Sequence, residues 1–365
     1  MLVRLLEARG FRNLDHAEVE LGDRITLIHG PNGAGKTNLL EALCFGLTGA
    51  SWRTRTERRL IAFGADLARA EVTVADGPES RRFLASVSTG EGRRLRVDGN
   101  QLAPAESAAA RPAVAIFSPD RLALIKGPPS GRRGHLDRFA AALWPARREL
   151  RRRFGRALAQ RNALVARIRS GRASEDALAA WDSEFATEAA ALVEARQGAV
   201  ERLASTFGSL AAALGLPGEA TIGYRPRTGS ADAASISEQL RERRARDIER
   251  GHSTHGPHLD EVVLALDDRS LREFGSQGEQ RAGLLALLFA EREALLDARR
   301  TPPLMLLDDV MSELDPERRE LLVDKLGGGG QAVITATEPP QVPDRGGRTE
   351  VEISAGRVVA APFPL

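Results

Sequence analysis

The chain has 365 residues, 42% of them hydrophobic and 28% charged, and a formal net charge of +2. That composition belongs to a globular protein with one large domain or two ordinary ones, not to a disordered chain. A lone cysteine, Cys44, excludes an intrachain disulfide; no apolar run is long enough to span a bilayer, and the N-terminus lacks the apolar stretch of a signal peptide, so a cytosolic protein is expected.

Apolar stretches at 2–9 and 16–28 read as strands. Ile25-Thr26-Leu27-Ile28 runs into Gly30-Pro31-Asn32-Gly33-Ala34-Gly35-Lys36-Thr37, and residues 36–48 then carry helical spacing. A G-x-x-x-x-G-K-T loop between a strand and a helix is a phosphate-binding loop. Its glycines let the backbone wrap phosphate oxygens, and the helix N-terminus adds a positive field. Lys36 is expected on the β- and γ-phosphates of ATP, and the Thr37 hydroxyl on Mg²⁺. Arg12 and Asn13 lie in a strand–turn context ahead of the loop; nucleotide contact and a simple turn role are both open. Cys44 falls on the helix and reads as core packing.

Residues 69–75, 82–88 and 93–97 read as a β-meander with a turn at Asp98-Gly99-Asn100, and 113–117 as a short strand. After Pro128-Pro129 the style changes: 131–214 is rich in Ala, Leu, Arg and Glu and reads as helices. No sustained heptad is present, so a short arm of roughly 50 Å at most is expected, not a long rod. Residues 215–232 read as a Gly/Pro-rich return connection and 233–250 as helical. A β/α style then resumes, with strands at 261–266, 304–308 and 331–335 and helices at 278–298 and 315–326. The expected fold is α/β: a split P-loop ATPase head with an inserted, mostly helical arm. The expected domains are 1–125, head with the phosphate loop; 126–250, helical arm; and 251–365, the rest of the head.

Leu304-Met305-Leu306-Leu307-Asp308-Asp309 is an apolar strand ending in two acids. Asp308 is expected to hold Mg²⁺, and Asp309 to orient or deprotonate the attacking water. Upstream, Ser276-Gln277-Gly278 opens an apolar helix and forms a candidate anion site. Asp315-Pro316 is a helix N-cap followed by N1 proline. Lysine occurs only at Lys36, Lys126 and Lys325, so nearly all positive charge is arginine. Arg53, Arg55, Arg58 and Arg59 form one basic group and are candidate DNA contacts; Arg147–Arg153 and Arg241–Arg246 form two more. His252, His255 and His258 have no helix to align them and no cysteine partners, so a metal site is not expected there.

The segment from Phe274 to Arg281 resembles the signature of ATP-binding-cassette proteins, with Ser276 and Gly278 matching and Gln277 and Glu279 departing. That resemblance implies an ATPase head of the ATP-binding-cassette type. The separation of loop and signature fits the SMC-like branch. Within it the chain resembles the bacterial RecF family, on Gly10-Phe11-Arg12-Asn13-Leu14, Gly30 to Ala42, Trp52-Arg53-Thr54, Phe117-Ser118-Pro119-Asp120, Lys126 to Asp137, Gln160 to Leu164, Gly256-Pro257-His258, Gly275 to Arg281, and Leu306 to Asp315. The resemblance implies an ATP-dependent homodimer whose signature residues Ser276, Gln277 and Gly278 act in trans. It implies binding to gapped or junction DNA, RecR and RecO proteins as partners, recombinase loading, and a role in the SOS response. It implies a weak, DNA-stimulated ATPase with ATP and Mg²⁺. Two departures are plain: Leu259 follows His258 where the family usually has Arg, and Thr335-Ala336-Thr337 stands where most cassettes place a switch His. A metabolic P-loop kinase leaves the signature segment unexplained, and a transporter ATPase has a shorter insertion. Another SMC-like or cassette ATPase, not dedicated to DNA gap repair, is the alternative.

Overall fold

The computed structural model describes residues 2–54, 56–101 and 111–359. The chain divides into two compact units: Met1–Arg121 with Ala213–Gly215 and Leu295–Leu365, and Leu122–Ala212 with Leu216–Ala294.

The first unit is α/β. An antiparallel sheet of order β2-β1-β4-β5-β6 is built from β1 (Leu2–Phe11), β2 (Leu14–Glu20), β4 (Leu67–Asp76), β5 (Glu79–Ser88) and β6 (Gly92–Val97). A second sheet has the order β14-β13-β3-β12-β11-β7. It joins β3 (Ile25–His29), β7 (Val114–Phe117), β11 (Leu304–Leu307), β12 (Ala332–Ala336), β13 (Thr349–Ser354) and β14 (Arg357–Val359). The pairs β3·β12, β12·β11, β11·β7 and β13·β3 are parallel. Parallel strands buried on both faces read as continuous apolar runs, which is why Leu304–Leu307 carries no alternation. Helix α1 (Lys36–Thr48) is buried on nearly every side, with Leu39, Leu43 and Phe45 in one core with Phe11, Phe83, Val333 and Ile353.

The second unit carries the helical insertion: α2 (Ala123–Lys126), α3 (Pro129–Leu143), α4 (Leu150–Arg169), α5 (Leu178–Ala213), α6 (Ala233–Glu242) and α7 (Arg244–Arg250). It also holds the antiparallel sheet β10-β9-β8, made of β8 (Ala220–Arg225), β9 (Glu261–Leu266) and β10 (Arg269–Ser270). The short helix α8 (Leu271–Phe274) follows, then α9 (Gln277–Arg299). The 36 residues of α5 make a helix about 50 Å long, the expected arm length. Phe154 of α4 packs edge-on against Phe185 of α5, ring centroids 5.1 Å apart.

Two expectations need correction. The segment 16–28 is two strands, β2 and β3, because the chain bends at Asp23 and Arg24, just after Gly22, where a Cβ would lie 2.2 Å from Thr349 Oγ1. The return connection at 215–232 contains β8, which pairs with β9 from Ala220↔Leu266 to Arg225↔Glu261. The compact units divide the chain differently from the expected boundary at 250/251: residues 251–294, signature segment included, cluster with the helices. The β8·β9 ladder and the hydrogen bonds from Arg196 Nη1 to Pro257 O and Asp260 tie them there. The strands β13 and β14 have no counterpart among the elements read from the sequence.

Candidate nucleotide-binding site

The site is assembled at the C-terminal edge of the parallel sheet, where ligands of α/β folds bind. Strand β3 delivers the loop 30–35, and α1 begins at Lys36. Gly30, Gly33 and Gly35 have φ of +147°, +81° and +114°. A Cβ on Gly30 would sit 2.1 Å from Ile353 O of β13, so only glycine lets the loop pass there. Gly33 has open space around it and needs glycine for its φ alone. Lys36 Nζ donates to the carbonyls of Gly30 (2.6 Å) and Pro31 (3.1 Å), folding its ammonium over the loop. Burial lowers the Lys36 pKa, and the nearby carboxylates of Asp309 and Asp308 oppose that shift.

Strand β11 ends at Asp308 and Asp309. Thr37 Oγ1 donates to both oxygens of Asp308, at 2.8 and 3.0 Å. Thr335, at the end of β12, donates its hydroxyl to Asp308 Oδ1 (2.8 Å) and accepts from the backbone N–H of Asp309 (2.9 Å). Burial raises the pKa of Asp308, and the two threonine hydrogen bonds pull it back only in part. Asp309 takes φ +49°, an uncommon conformation for a non-glycine residue, fixed here by the Thr335 bond. The paired hard oxygens of Thr37 and Asp308 suit Mg²⁺. Thr335 thus has a definite partner at the place where the sequence lacks a switch His.

A second network borders the loop. Glu41 of α1 is fully buried, and Arg12 grips it with two hydrogen bonds of 3.0 and 2.8 Å. Arg53 Nη1 reaches Glu41 Oε2 (3.0 Å) and Asn38 Oδ1 (2.8 Å), and Ser51 Oγ donates to Glu41 (2.5 Å). Asn13 Oδ1 accepts from Asn38 Nδ2 (2.7 Å), and a Cβ on Gly35 would lie 3.0 Å from it. Two guanidiniums on one carboxylate leave a positive excess beside the phosphate loop. Sequence reasoning missed Glu41; its only signal was a carboxylate in an otherwise apolar helix. It also placed Arg53 with Arg58 and Arg59, whereas Arg53 is bound to α1. Arg58 donates to Thr89 O and Arg59 is exposed; Arg55 lies outside the described residues.

The signature segment belongs to the second unit. Ser276, Gln277 and Gly278 are all exposed at the start of α9. Ser276 N donates to Glu279 Oε2 (2.7 Å) and Glu279 N to Ser276 Oγ (3.2 Å), a capping box. Asp315 caps its helix, α10 (Pro316–Gly327), by accepting from Arg318 N at 2.9 Å. Other sequence clusters are spent on local charge: Arg147, Arg151, Arg152 and Arg153 pair with Glu194, Asp137, Glu149 and Glu188. Arg241 and Arg244 pair with Glu238 and Asp182. His255 bonds Gln239, and no metal-holding group of side chains occurs among the described residues. No helix among them is long and apolar enough to cross a membrane.

Residues 2–344 match the family model described as the RecF/RecN/SMC N-terminal domain. The chain is 38% identical over 354 residues to the "DNA replication and repair protein RecF" of Anaeromyxobacter sp. (strain Fw109-5), covering 93% of this chain and 94% of that one. It is 35% identical to the protein of the same name from Gloeobacter violaceus, over 100% of both. Among solved structures it resembles the recombination mediator protein RecF with ATP in the RecFOR pathway, with TM-score 0.89, 25% identity and 98% and 97% coverage. An Smc head bound to the C-terminal winged-helix domain of ScpA shares the fold, with TM-score 0.60 at 16% identity and coverage of 100% and 98%.

Proposed function

Because this chain belongs to the RecF family, we propose that it is an ATP-dependent DNA-binding protein of recombinational repair and replication. In this reading ATP pairs two copies on gapped DNA or at single-strand/double-strand junctions, where they aid recombinase loading and the SOS response with RecR and RecO. Slow, DNA-stimulated hydrolysis in the cytoplasm then resets the dimer. The observation that carries the ATPase part is the Thr37–Asp308–Thr335 hydrogen-bond chain beside the glycine loop.

The chemistry follows from that geometry. Backbone N–H groups of the loop and the N-terminus of α1 receive the phosphates. Lys36, already turned over the loop, exchanges its carbonyl partners for β- and γ-phosphate oxygens. Thr37 and Asp308 would hold Mg²⁺, which would supply charge neutralisation for the phosphates. Asp309 acts electrostatically on Lys36, which supports the reading in which its carboxylate orients the attacking water and accepts its proton. Arg12 and Asn13 border the loop through Glu41 and Asn38. Ser276, Gln277 and Gly278 of a second copy complete the site in trans, the exposed end of a 23-residue helix meeting the γ-phosphate.

Sedimentation with and without ATP, using gapped duplex and an Asp309→Asn variant, tests this. Hydrolysis should fall about 10²–10³-fold in the variant while ATP-dependent pairing persists. If ATP neither pairs the protein nor tightens its hold on gapped DNA, the reading is wrong.

A further inference from the structure

One side chain of the first unit is anomalous. Phe63 is as exposed as a free side chain, at 108% of its reference area, in a chain with only 4% aromatic residues. The informative oddity on a protein surface is a large apolar group that the fold leaves in water. Phe63 sits at the first corner of a tight turn, closed by Ala65 N donating to Ala62 O (3.0 Å), with Gly64 at φ +81° in the second corner. The turn is fastened to β1: Ala62 N donates to Gly10 O (2.8 Å), and Phe11 bridges Ile61. A Cβ on Gly10 would lie 2.3 Å from Leu67 O, so β1 and β4 close tightly under the turn. The phenyl ring is therefore held out by a rigid support.

Its surroundings are basic. Arg9 and Arg69 are register partners on the open face of the sheet, beside half-exposed Leu67. Arg58 Nη2 donates to Thr89 O (3.1 Å), and Thr89 N donates to Asp66 O (3.1 Å), which brings that guanidinium to the foot of the turn. Arg59 is exposed one turn away. The acids nearby are Asp66; Glu71, which pairs with Arg69 and, at 3.9 Å, Arg82; Glu7, the register partner of Glu71; and Glu57, which pairs with Arg93 at 2.9 Å. An exposed ring on a turn whose flanking elements carry exposed arginines has the two elements of single-strand recognition, a face for a base and charge for the backbone.

We infer that the Phe63 turn is a docking point for single-stranded DNA, with an unpaired base stacked on Phe63 and its flanking phosphates on Arg58, Arg59 and Arg9. The inference rests on the DNA-binding reading above and assigns the single-stranded side of a gap to this surface. A base stack releases no counterions, whereas each phosphate contact to a single strand adds about 0.7 to the log K–log salt slope.

The test is fluorescence anisotropy of the full-length protein with ATP and Mg²⁺, on gapped duplex, blunt duplex and an oligothymidine strand. Phe63→Ala should weaken gapped and single-stranded binding about five- to a hundred-fold, with blunt duplex and salt slope unchanged. Phe63→Trp should restore binding and Phe63→Leu should not. Arg59→Ala should instead flatten the slope. Thermal melting of each variant controls for folding. Equal affinity of Phe63→Ala for gapped DNA, equal rescue by Leu and Trp, or an equal loss on blunt duplex each overturns the inference. So does a variant that binds DNA normally but no longer binds a protein partner. If the wild-type chain binds none of the three DNAs, the DNA-binding reading itself falls.

Discussion

Buried charge is handled in opposite ways in the two units. In the helical unit, Arg161 is completely buried, yet it meets Asp182 (2.8 Å), Asp247 (2.7 Å) and Ser253 (2.6 Å), with the Phe185 ring 5.8 Å from its Cζ. Arg196 likewise joins Asp137 to Asp260, and Asp260 also accepts from Tyr224. In the nucleotide unit, Asp308 is almost as buried, but among the described residues its carboxylate is hydrogen-bonded only by two hydroxyls, with Asp309 next to it and Lys36 held by neutral carbonyls. The first arrangement is structural and answers each carboxylate with a guanidinium, although Arg161 Nη2 is buried without a hydrogen-bond partner among the described residues. The second leaves charge partly unanswered, as expected of a site whose ligand brings the missing charge. The pKa directions agree: burial depresses Lys36 and elevates Asp308, so the site disfavours both ionised forms until something joins them.

The comparison predicts separable failures. The largest effect is expected for Arg161→Ala, which leaves Asp182 and Asp247 without their shared cation. Breaking a buried ion pair costs about 3–5 kcal/mol. Urea denaturation should show that loss, and a change under 1 kcal/mol would show that solvent already screens the cluster. Lys36→Met comes next, with ATP affinity falling about 100-fold by equilibrium dialysis while urea stability moves by less than about 1 kcal/mol. A large stability loss there would make Lys36 structural and erase the contrast.

The smallest effect has the opposite sign. The folded pKa of Asp308 is raised, so the folded state holds its proton more tightly than the unfolded one. Stability from that group is present at low pH and is lost as pH rises from the ordinary carboxylate range through the elevated folded value. Asp308→Asn removes that cost and should raise the melting temperature of the nucleotide-free protein by about 1–3 °C while hydrolysis is lost. A lower melting temperature would mean that the two threonine bonds already repay the carboxylate.

Local chemistry was legible in the sequence because it is encoded locally. The glycines of the phosphate loop stand where positive φ is required, and α1 begins at Lys36 and ends at Thr48 as its spacing predicts. The apolar run 304–307 ends in its two acids because a doubly buried strand has no polar face to alternate with. Strand β8 escaped because its Gly/Pro-rich flanks read as a connection, and its pairing partner lies about forty residues away. The two arginine clusters of the helical insertion were legible only in part, for a related reason. Sequence shows where arginines crowd but not which carboxylates face them, and Arg147, Arg151 and Arg153 turn out to be paired.

Sequence by itself therefore determined the phosphate loop, the acidic strand and the helical insertion, since each depends on spacing within one element. Tertiary structure alone decided that Thr37 meets Asp308 from 271 positions away, that Thr335 stands third in that chain, and that Arg12 and Arg53 converge on Glu41. It also decided that Phe63 stays in water. The physical reason is common to all four. A hydrogen bond or a buried face belongs to a pair of surfaces, and the second surface is supplied only when the strands choose their neighbours.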